Sequence, residues 1–289
     1  MNTTLSVTSV DGATAQLIVS APEGAHTWIY WCPAMGVTAR QYRIFAEAVA
    51  QAGIGIATHE WRGAGSSDQR ASRKCDWGYR ELLDDIQAGV AALRSAHDVR
   101  RLLIGGHSLG AQIGMLALAR NRTLADSVLL IGSGIPWWRT FPVWQRPLVV
   151  AVFAWFRALS AMCGWFPGRR VGFAGDEARG VIRDWARSGM SGRYHPDRIE
   201  VALDASLATL EVPGWAAHLQ DDRFAPMQSF NELQSRLSRA QWTTVGFTKE
   251  AFASGLATHF SWMKEPGPVV APLAAWLRNS VGAVSGGDG

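Results

Sequence analysis

The segment from Val99 to Arg120 constrains the fold of this chain more than any other stretch. It reads VRRLLIGGHSLGAQIGMLALAR: aliphatic residues, two glycines, Gly-His-Ser-Leu-Gly, and then an apolar run with helical spacing. This order predicts a strand, a sharp turn and a helix, with Ser108 at the apex of the turn. Gly106 and Gly110 lack a Cβ, so the strand and the helix can pass close together. The helix would direct its unpaired N–H groups at whatever Ser108 attacks, which makes Ser108 a candidate nucleophile.

Strand and helix patterns alternate on both sides of this segment. The predicted strands cover residues 5–10, 15–20, 26–32, 54–59, 127–131, 209–219 and 241–247. The predicted helices cover residues 39–51, 77–97, 227–237 and 268–281. Alternation of this kind predicts an α/β fold with a mainly parallel sheet and helices on both of its faces.

The alternation stops after Gly134. Residues 135–205 show no convincing strand pattern and are rich in tryptophan and phenylalanine. We therefore expect residues 1–134 and 206–289 to form the α/β core, and residues 135–205 to form a helical cap folded over the strand ends. The aromatic residues together favour an apolar substrate pocket. The candidates for its lining are Trp137, Trp138, Trp144 and Trp155.

Composition excludes several classes of protein. The 289 residues are 48% hydrophobic and 18% charged, which is typical of a globular protein with a large core. The net charge is +4, but the basic residues are scattered, so nucleic-acid binding is not expected. The three cysteines are widely spaced and predict free thiols, and the first residues lack a signal-peptide pattern. Both observations favour a cytoplasmic location.

Membrane, metal and nucleotide sites are not expected either. Residues 143–166 are apolar, but Arg146-Pro147 and Arg157 interrupt them, and a spanning helix needs about 18 uninterrupted apolar residues. No His/Cys/Asp cluster has the spacing of metal ligands. No Gly-x-Gly-x-x-Gly follows the first strand, so we expect no nucleotide cofactor.

Five short motifs occur in an order that resembles the α/β-hydrolase fold. They are a strand followed by PAMG, then WRGAGSS, GHSLG, DDRFAP and a late THF. The resemblance covers essentially the whole chain. Within that fold, the chain is most similar to serine-aminopeptidase-like and lysophospholipase-like bacterial hydrolases that carry a helical cap.

The resemblance implies an acid and a base that follow Ser108 in that order. His218 lies inside a predicted strand, where a structural role is expected, whereas His259 follows the last strand and is the candidate base. The acid lies in Asp221-Asp222. The spacing from Asp222 to Pro226 matches the family's acid loop and favours Asp222, with Asp221 as the alternative.

The resemblance also implies an oxyanion hole made of two backbone N–H groups. One belongs to Leu109, which follows the nucleophile. The other belongs by position to Met35, in the turn after the third strand. Glu60 and Arg62 are expected to brace the next loop as an ion pair rather than to act chemically.

These residues predict a serine hydrolase that cleaves an ester or thioester of a small molecule with an apolar acyl group. An acyltransferase would use the same Ser108, Asp222 and His259, so the sequence does not separate the two activities. A non-catalytic ligand-binding protein on this fold is a third alternative. Against it stands the complete set of three residues in the right order.

Overall fold

The computed structural model describes residues 2–282. The strands are β1 (Asn2–Thr8), β2 (Thr14–Ser20), β3 (Thr27–Cys32), β4 (Gly55–Thr58), β5 (Arg101–His107), β6 (Ser127–Ile131), β7 (Trp165–Pro167), β8 (Asp176–Ala178), β9 (Pro213–Leu219) and β10 (Gln241–Phe247). The α-helices are α1 (Arg43–Gln51), α2 (Tyr79–Ala96), α3 (Leu109–Arg120), α4 (Arg146–Cys163), α5 (Gly168–Val171), α6 (Arg179–Ser191), α7 (Leu203–Ala208), α8 (Met227–Ser235) and α9 (Gly267–Gly282).

The main sheet has eight strands in the order β1-β2-β4-β3-β5-β6-β9-β10. β2 runs antiparallel to both β1 and β4, and the other neighbouring pairs are parallel. The predicted mainly parallel sheet is therefore confirmed. β5 lies between β3 and β6, so the turn that contains Ser108 emerges from the middle of the sheet.

The two faces of the sheet carry separate apolar clusters. Successive side chains of a strand point to opposite faces, and in β5 the side chains of Leu102 and Ile104 join one cluster while that of Leu103 joins the other. Helices α2, α3, α7 and α8 supply apolar side chains to the first cluster, and α1 and α9 supply them to the second. The predicted helices on both faces are thus confirmed.

The segment between β6 and β9 departs from the sequence prediction in two details. β7 and β8 form an antiparallel hairpin where no strand was expected, because three residues each are too few to show a period of two. β9 begins at Pro213 rather than at residue 209, since residues 209–212 form the loop that connects α7 to β9. The predicted cap boundary at residue 205 falls inside α7, whose Leu203 and Leu207 pack in the first cluster. The division into core and cap stays a prediction.

Helix α4 also differs from expectation. Among the described residues, Val143–Cys163 is one helical segment that is long and apolar enough, by length and composition alone, to cross a membrane. From the sequence we expected Arg146 and Arg157 to rule out a membrane-spanning helix. By length and mean hydropathy alone, the two arginines do not rule it out. A helix that packs against a soluble domain can pass the same test, and α4 packs against α6.

The loop after β4 is braced differently from the prediction. Arg62 does not pair with Glu60. Its guanidinium donates to both carboxylate oxygens of Asp85, at 2.6 and 2.7 Å, and to those of Asp11, at 2.6 and 2.9 Å. Glu60 instead accepts a hydrogen bond from the Ala39 N–H at 3.0 Å. The expected Glu60–Arg62 ion pair is therefore wrong, because each group has a buried partner from another element.

Candidate active site

Ser108 lies between β5 and α3 with a strained backbone. Its φ is 54° and its ψ is −123°. A non-glycine residue in such a conformation costs about 1–3 kcal/mol, and strain of this kind concentrates at functional sites. The hydroxyl of Ser133 donates to the Ser108 carbonyl oxygen at 2.8 Å and helps to hold this conformation.

The two glycines beside Ser108 allow the turn to close. A Cβ added at Gly106 would lie 2.4 Å from the Ala111 nitrogen, and one added at Gly110 would lie 2.1 Å from the Cys32 carbonyl oxygen. Both distances are far too short for real atoms. The close passage of strand and helix expected from the two glycines is therefore what the structure shows.

Asp222 and His259 form a buried hydrogen-bonded pair. The Asp222 Oδ2 and His259 Nδ1 atoms are 2.8 Å apart, and both residues are about 5% exposed. The other carboxylate oxygen, Oδ1, accepts the N–H groups of Phe224 and Ala225 at 2.9 Å each. The carboxylate is thus held in one orientation. A carboxylate at Nδ1 keeps the proton on that nitrogen and leaves Nε2 free to accept one.

The neighbouring candidates do not share this arrangement. Asp221 is exposed, and its backbone N–H donates to the Ala257 carbonyl oxygen at 3.0 Å. His218 is buried with its ring 5.2 Å from that of Phe230, and burial lowers the pKa of His218. The structure therefore brings Asp222, rather than Asp221, to His259.

Ser108 lines a cavity whose wall also includes Arg223, Phe224 and Ala225, the three residues that follow Asp222. The ring of Phe224 lies 5.0 Å from the His259 ring, and Phe224 lines the same cavity as Ser108. Within residues 2–282, the Ser108 hydroxyl makes no hydrogen bond with His259. Such bonds are often long without substrate and shorten only in the complex, so this geometry is compatible with proton transfer.

The second predicted N–H donor, that of Met35, lies in the turn after β3. Trp61 Nε1 donates to the Pro33 carbonyl oxygen at 2.8 Å, and a Cβ added at Gly36 would lie 2.1 Å from the Gly175 nitrogen. The turn is therefore clamped between the core and the loop before β8. Among the described residues, the N–H groups of Met35 and Leu109 have no hydrogen-bond acceptor, and both residues line the cavity that contains Ser108.

Tyr42 links this turn to the nucleophile turn, a role that the sequence analysis missed. Its hydroxyl accepts the Ala34 N–H at 2.9 Å and lies 2.9 Å from His107 Nδ1. Burial, reinforced by the nearby His259, lowers the pKa of His107 well below its usual range, so His107 is neutral. Tyr42 Oη and His107 Nδ1 then share one hydrogen bond, whose donor depends on the tautomer of His107. No local sequence pattern marks such a link, because its three residues are distant in the chain.

We expect Tyr42→Phe to lower kcat by about ten- to a hundredfold with little change in KM. The substitution leaves the buried Ala34 N–H without an acceptor and frees the turn to shift, and small misplacements of catalytic groups cost this much. Steady-state kinetics on a short-chain ester measure both constants. The matched control is Tyr79→Phe, since Tyr79 is equally buried and its hydroxyl has no partner among the described residues. Equal losses in the two variants would contradict a positioning role for Tyr42.

The cavity beside Ser108 has a volume of about 520 Å³ and an apolar lining. This size lies within the usual range of small-molecule pockets. Its aromatic lining residues are Phe141, Trp144, Phe153, Trp155, Phe156, Phe173, Trp185 and Phe224. The described lining contains Arg223 as a charged residue and no carboxylate.

Two of the four predicted lining tryptophans lie elsewhere. Trp144 and Trp155 line the cavity, but Trp137 and Trp138 do not. Trp137 packs against the first core cluster, close to Gly192, and Trp138 stacks with the Arg139 guanidinium at 5.1 Å. The prediction was wrong for this pair because tryptophan content does not reveal which way a side chain points.

The four predicted tryptophans leave out six of the eight aromatic lining residues, which are Phe141, Phe153, Phe156, Phe173, Trp185 and Phe224. Trp185 lies on α6, and Phe173 lies in the loop before β8, so neither follows a local motif. Phe224 stands two residues after Asp222 and could have been found from that neighbourhood. Among the described residues, no group of three or more His, Cys, Asp or Glu side chains has an arrangement that could hold a metal ion.

Comparisons with known proteins give a family match and several matches to solved structures. Residues 24–171, slightly more than half of the chain, match the model of the family described as serine aminopeptidase, S33. No curated protein matches the sequence of this chain.

Several solved structures have the same fold. Est1E from Butyrivibrio proteoclasticus with bound ferulic acid is 12% identical, with a TM-score of 0.65 over 96% of this chain and 99% of that chain. The esterase domain of a Rhodothermus marinus protein is 15% identical, with a TM-score of 0.62 over 96% and 98%. The enol-lactonase from Burkholderia xenovorans LB400 is 16% identical, with a TM-score of 0.59 over 93% and 98%. At these identities the likeness establishes the fold.

Proposed function

Since this chain belongs to the serine aminopeptidase S33 family of α/β-hydrolases, we propose that it cleaves a carboxylic ester or thioester with an apolar acyl group. The observation that carries the proposal is the apolar cavity that opens at Ser108, beside the buried Asp222–His259 pair. The reaction would run through a covalent acyl-enzyme.

In the first half of the proposed reaction, Ser108 Oγ attacks the carbonyl carbon of the substrate and its proton passes to His259 Nε2. Asp222 stabilises the imidazolium that forms. The carbonyl oxygen becomes negative, and the N–H groups of Met35 and Leu109 supply the two donors that it needs. The carbon–oxygen or carbon–sulfur bond then breaks, and the leaving alcohol or thiol takes the proton from His259.

In the second half, water replaces the leaving group. His259 removes a proton from the water, whose oxygen attacks the acyl carbon. The tetrahedral intermediate uses the same two N–H donors. Its collapse returns the proton to Ser108 and releases the carboxylic acid.

The cavity lining supports an apolar acyl group over a peptide. A substrate with a free amino terminus needs a carboxylate to bind its charge, and the described lining offers none. The structural neighbour Est1E binds ferulic acid, which carries an aromatic acyl group. An aliphatic or aromatic acyl chain that contacts the aromatic residues of the predicted cap fits these observations.

A panel of p-nitrophenyl esters from acetyl to octanoyl tests this proposal. Each CH₂ group buried in an apolar pocket contributes about 0.8 kcal/mol. When part of this binding free energy also stabilises the transition state, kcat/KM should rise severalfold with each two-carbon extension of the acyl chain until the cavity is full. A flat profile from acetyl to octanoyl would place the acyl group outside this cavity.

Two tryptophan variants distinguish the effect of the cavity lining from that of other residues in the predicted cap. Trp155→Ala should lower kcat/KM for the octanoyl ester by at least fivefold while sparing the acetyl ester, because Trp155 lines the cavity. Trp138→Ala is the matched control, since Trp138 belongs to the same segment but lies outside the lining. If the control shifted the chain-length preference as strongly, the effect would be one of folding rather than of the cavity.

A further inference from the structure

Helix α4 and the turn before it carry an apolar stripe that no other part of the described chain covers. The stripe, which we call the outer stripe, consists of Trp144, Leu148, Ala151, Trp155, Ala158 and Met162. Intervals of four and three residues place these side chains on one helix face. All six residues are exposed, and the exposed fraction reaches 79% for Trp144 and 72% for Met162. A continuous apolar surface of this kind marks an interaction site.

The opposite face of α4 is bound to the protein. Phe153 and Phe156 are buried, with ring centroids 4.7 and 6.0 Å from that of Trp185 on α6. The Phe156 ring also lies 4.4 Å from that of Phe166. The chain enters this segment from β6 and returns to β9 of the same sheet. The helix therefore lies along the protein surface with one face outward, which is the geometry of an interfacial helix rather than of a spanning one.

The segment of chain that carries the outer stripe is strongly basic. Residues 135–172 contain five arginines and no lysine, aspartate or glutamate. Among the described residues, Arg139, Arg146, Arg157 and Arg170 have no carboxylate partner. The fifth, Arg169, lies 3.9 Å from Asp176. An apolar stripe with tryptophan and flanking arginine is the pattern that binds at the boundary of headgroups and acyl chains in anionic membranes.

We propose that the outer stripe docks on the surface of an anionic lipid bilayer. A second copy of this chain fits the surface less well, because two identical arginine-rich surroundings would face each other and repel. The proposal goes beyond the proposed function and does not depend on it, since docking is measured without turnover.

Docking would also orient the cavity. Trp144, Leu148 and Trp155 belong to the outer stripe and line the cavity that contains Ser108. A protein docked through this stripe therefore has the rim of its cavity at the lipid surface. An apolar molecule dissolved in the bilayer could then enter without crossing water.

Vesicle flotation tests the docking. We expect the full chain to float with vesicles of phosphatidylcholine and phosphatidylglycerol in a 3:1 ratio, and to bind pure phosphatidylcholine vesicles much more weakly. Raising the salt from low to high concentration should weaken the binding, because screening shortens the reach of the arginine charges.

Two pairs of variants locate the contact. Ala151→Glu with Met162→Glu should weaken binding at least tenfold, since both residues lie on the outer stripe and neither lines the cavity. Its control is Val10→Glu with Val201→Glu, which adds the same charge at exposed apolar residues elsewhere. Arg157→Gln with Arg170→Gln should weaken binding about twenty-fivefold, because each arginine near an anionic surface contributes about fivefold. The control for this pair is Arg40→Gln with Arg193→Gln.

Circular dichroism shows whether each variant folds. If the variant with the two glutamates does not fold, the variant with the two arginine substitutions still tests the proposal. Three results would overturn the proposal: no flotation of the full chain, equal losses in test and control variants, or association that resists alkaline carbonate, which indicates a spanning helix. The full chain could instead fail to bind vesicles and form a dimer in solution that the double substitution Ala151→Glu with Met162→Glu dissociates. That result would assign the outer stripe to a second copy of this chain.

Discussion

Replacing Ser108 with alanine is expected to lower kcat for ester hydrolysis about a millionfold, to the level left by binding and oxyanion stabilisation alone. The reason is that the proposed reaction has no other group to form the covalent acyl-enzyme. The strained turn holds the Ser108 side chain at the cavity, and the two N–H donors lie around the same space. A fluorophosphonate probe, read by mass spectrometry of the labelled peptide, should modify Ser108 in the unchanged protein and nothing in the variant.

The matched control is Ser133→Ala. Ser133 is buried next to the turn and donates its hydroxyl to the Ser108 carbonyl oxygen, so the control removes a nearby hydroxyl without removing the proposed nucleophile. This variant should still be labelled at Ser108. Turnover that survives in Ser108→Ala, or a label on another residue, would disprove the mechanism.

Replacing Asp222 with asparagine should lower kcat about ten-thousandfold. In the structure, Oδ1 accepts two backbone N–H groups while Oδ2 faces His259 Nδ1. An asparagine would keep its carbonyl oxygen on the two N–H groups, because its amide nitrogen cannot accept them. The amide nitrogen would then donate to His259 Nδ1. The proton of the neutral imidazole would move to Nε2, which could no longer accept the Ser108 proton.

Asp221→Asn is the matched control for this prediction. Asp221 is the adjacent residue with the same side chain, but it is exposed and its contact to Ala257 runs through its backbone. Its substitution should change kcat less than threefold. The reverse ranking, measured by steady-state kinetics on the same ester, would assign the acid to Asp221 and would leave the rest of the mechanism intact.

The strands and the nucleophile turn could be read from the chain because their signals are local. The predicted strand at residues 127–131 agrees with β6, and the strand, turn and helix around Ser108 follow directly from neighbouring residues. A short apolar run predicts a buried strand, and glycines predict a tight turn. The loop at residues 209–212 gave no such signal, and the prediction for β9 therefore started four residues too early.

The partners of polar groups were harder to predict. The sequence left Asp221 and Asp222 as alternatives, and the folded chain brings Asp222 to His259. Arg62 was expected to bind Glu60, two residues away, but binds Asp11 and Asp85 from other elements. Charged side chains select partners by burial and geometry, and both depend on how distant segments meet.

The sequence alone determined the fold class, the mainly parallel sheet and the strand, turn and helix that carry Ser108, because their signals lie in short stretches of the chain. The strand order, which places β5 in the middle of the sheet, was decided by the tertiary structure. The tertiary structure alone decided that Trp144 and Trp155, rather than Trp137 and Trp138, line the cavity. It alone connected Ala34, Tyr42 and His107, and left one apolar face of α4 in solvent. The reason is that the direction of a side chain, and what covers it, are set by the packing of elements far apart in sequence.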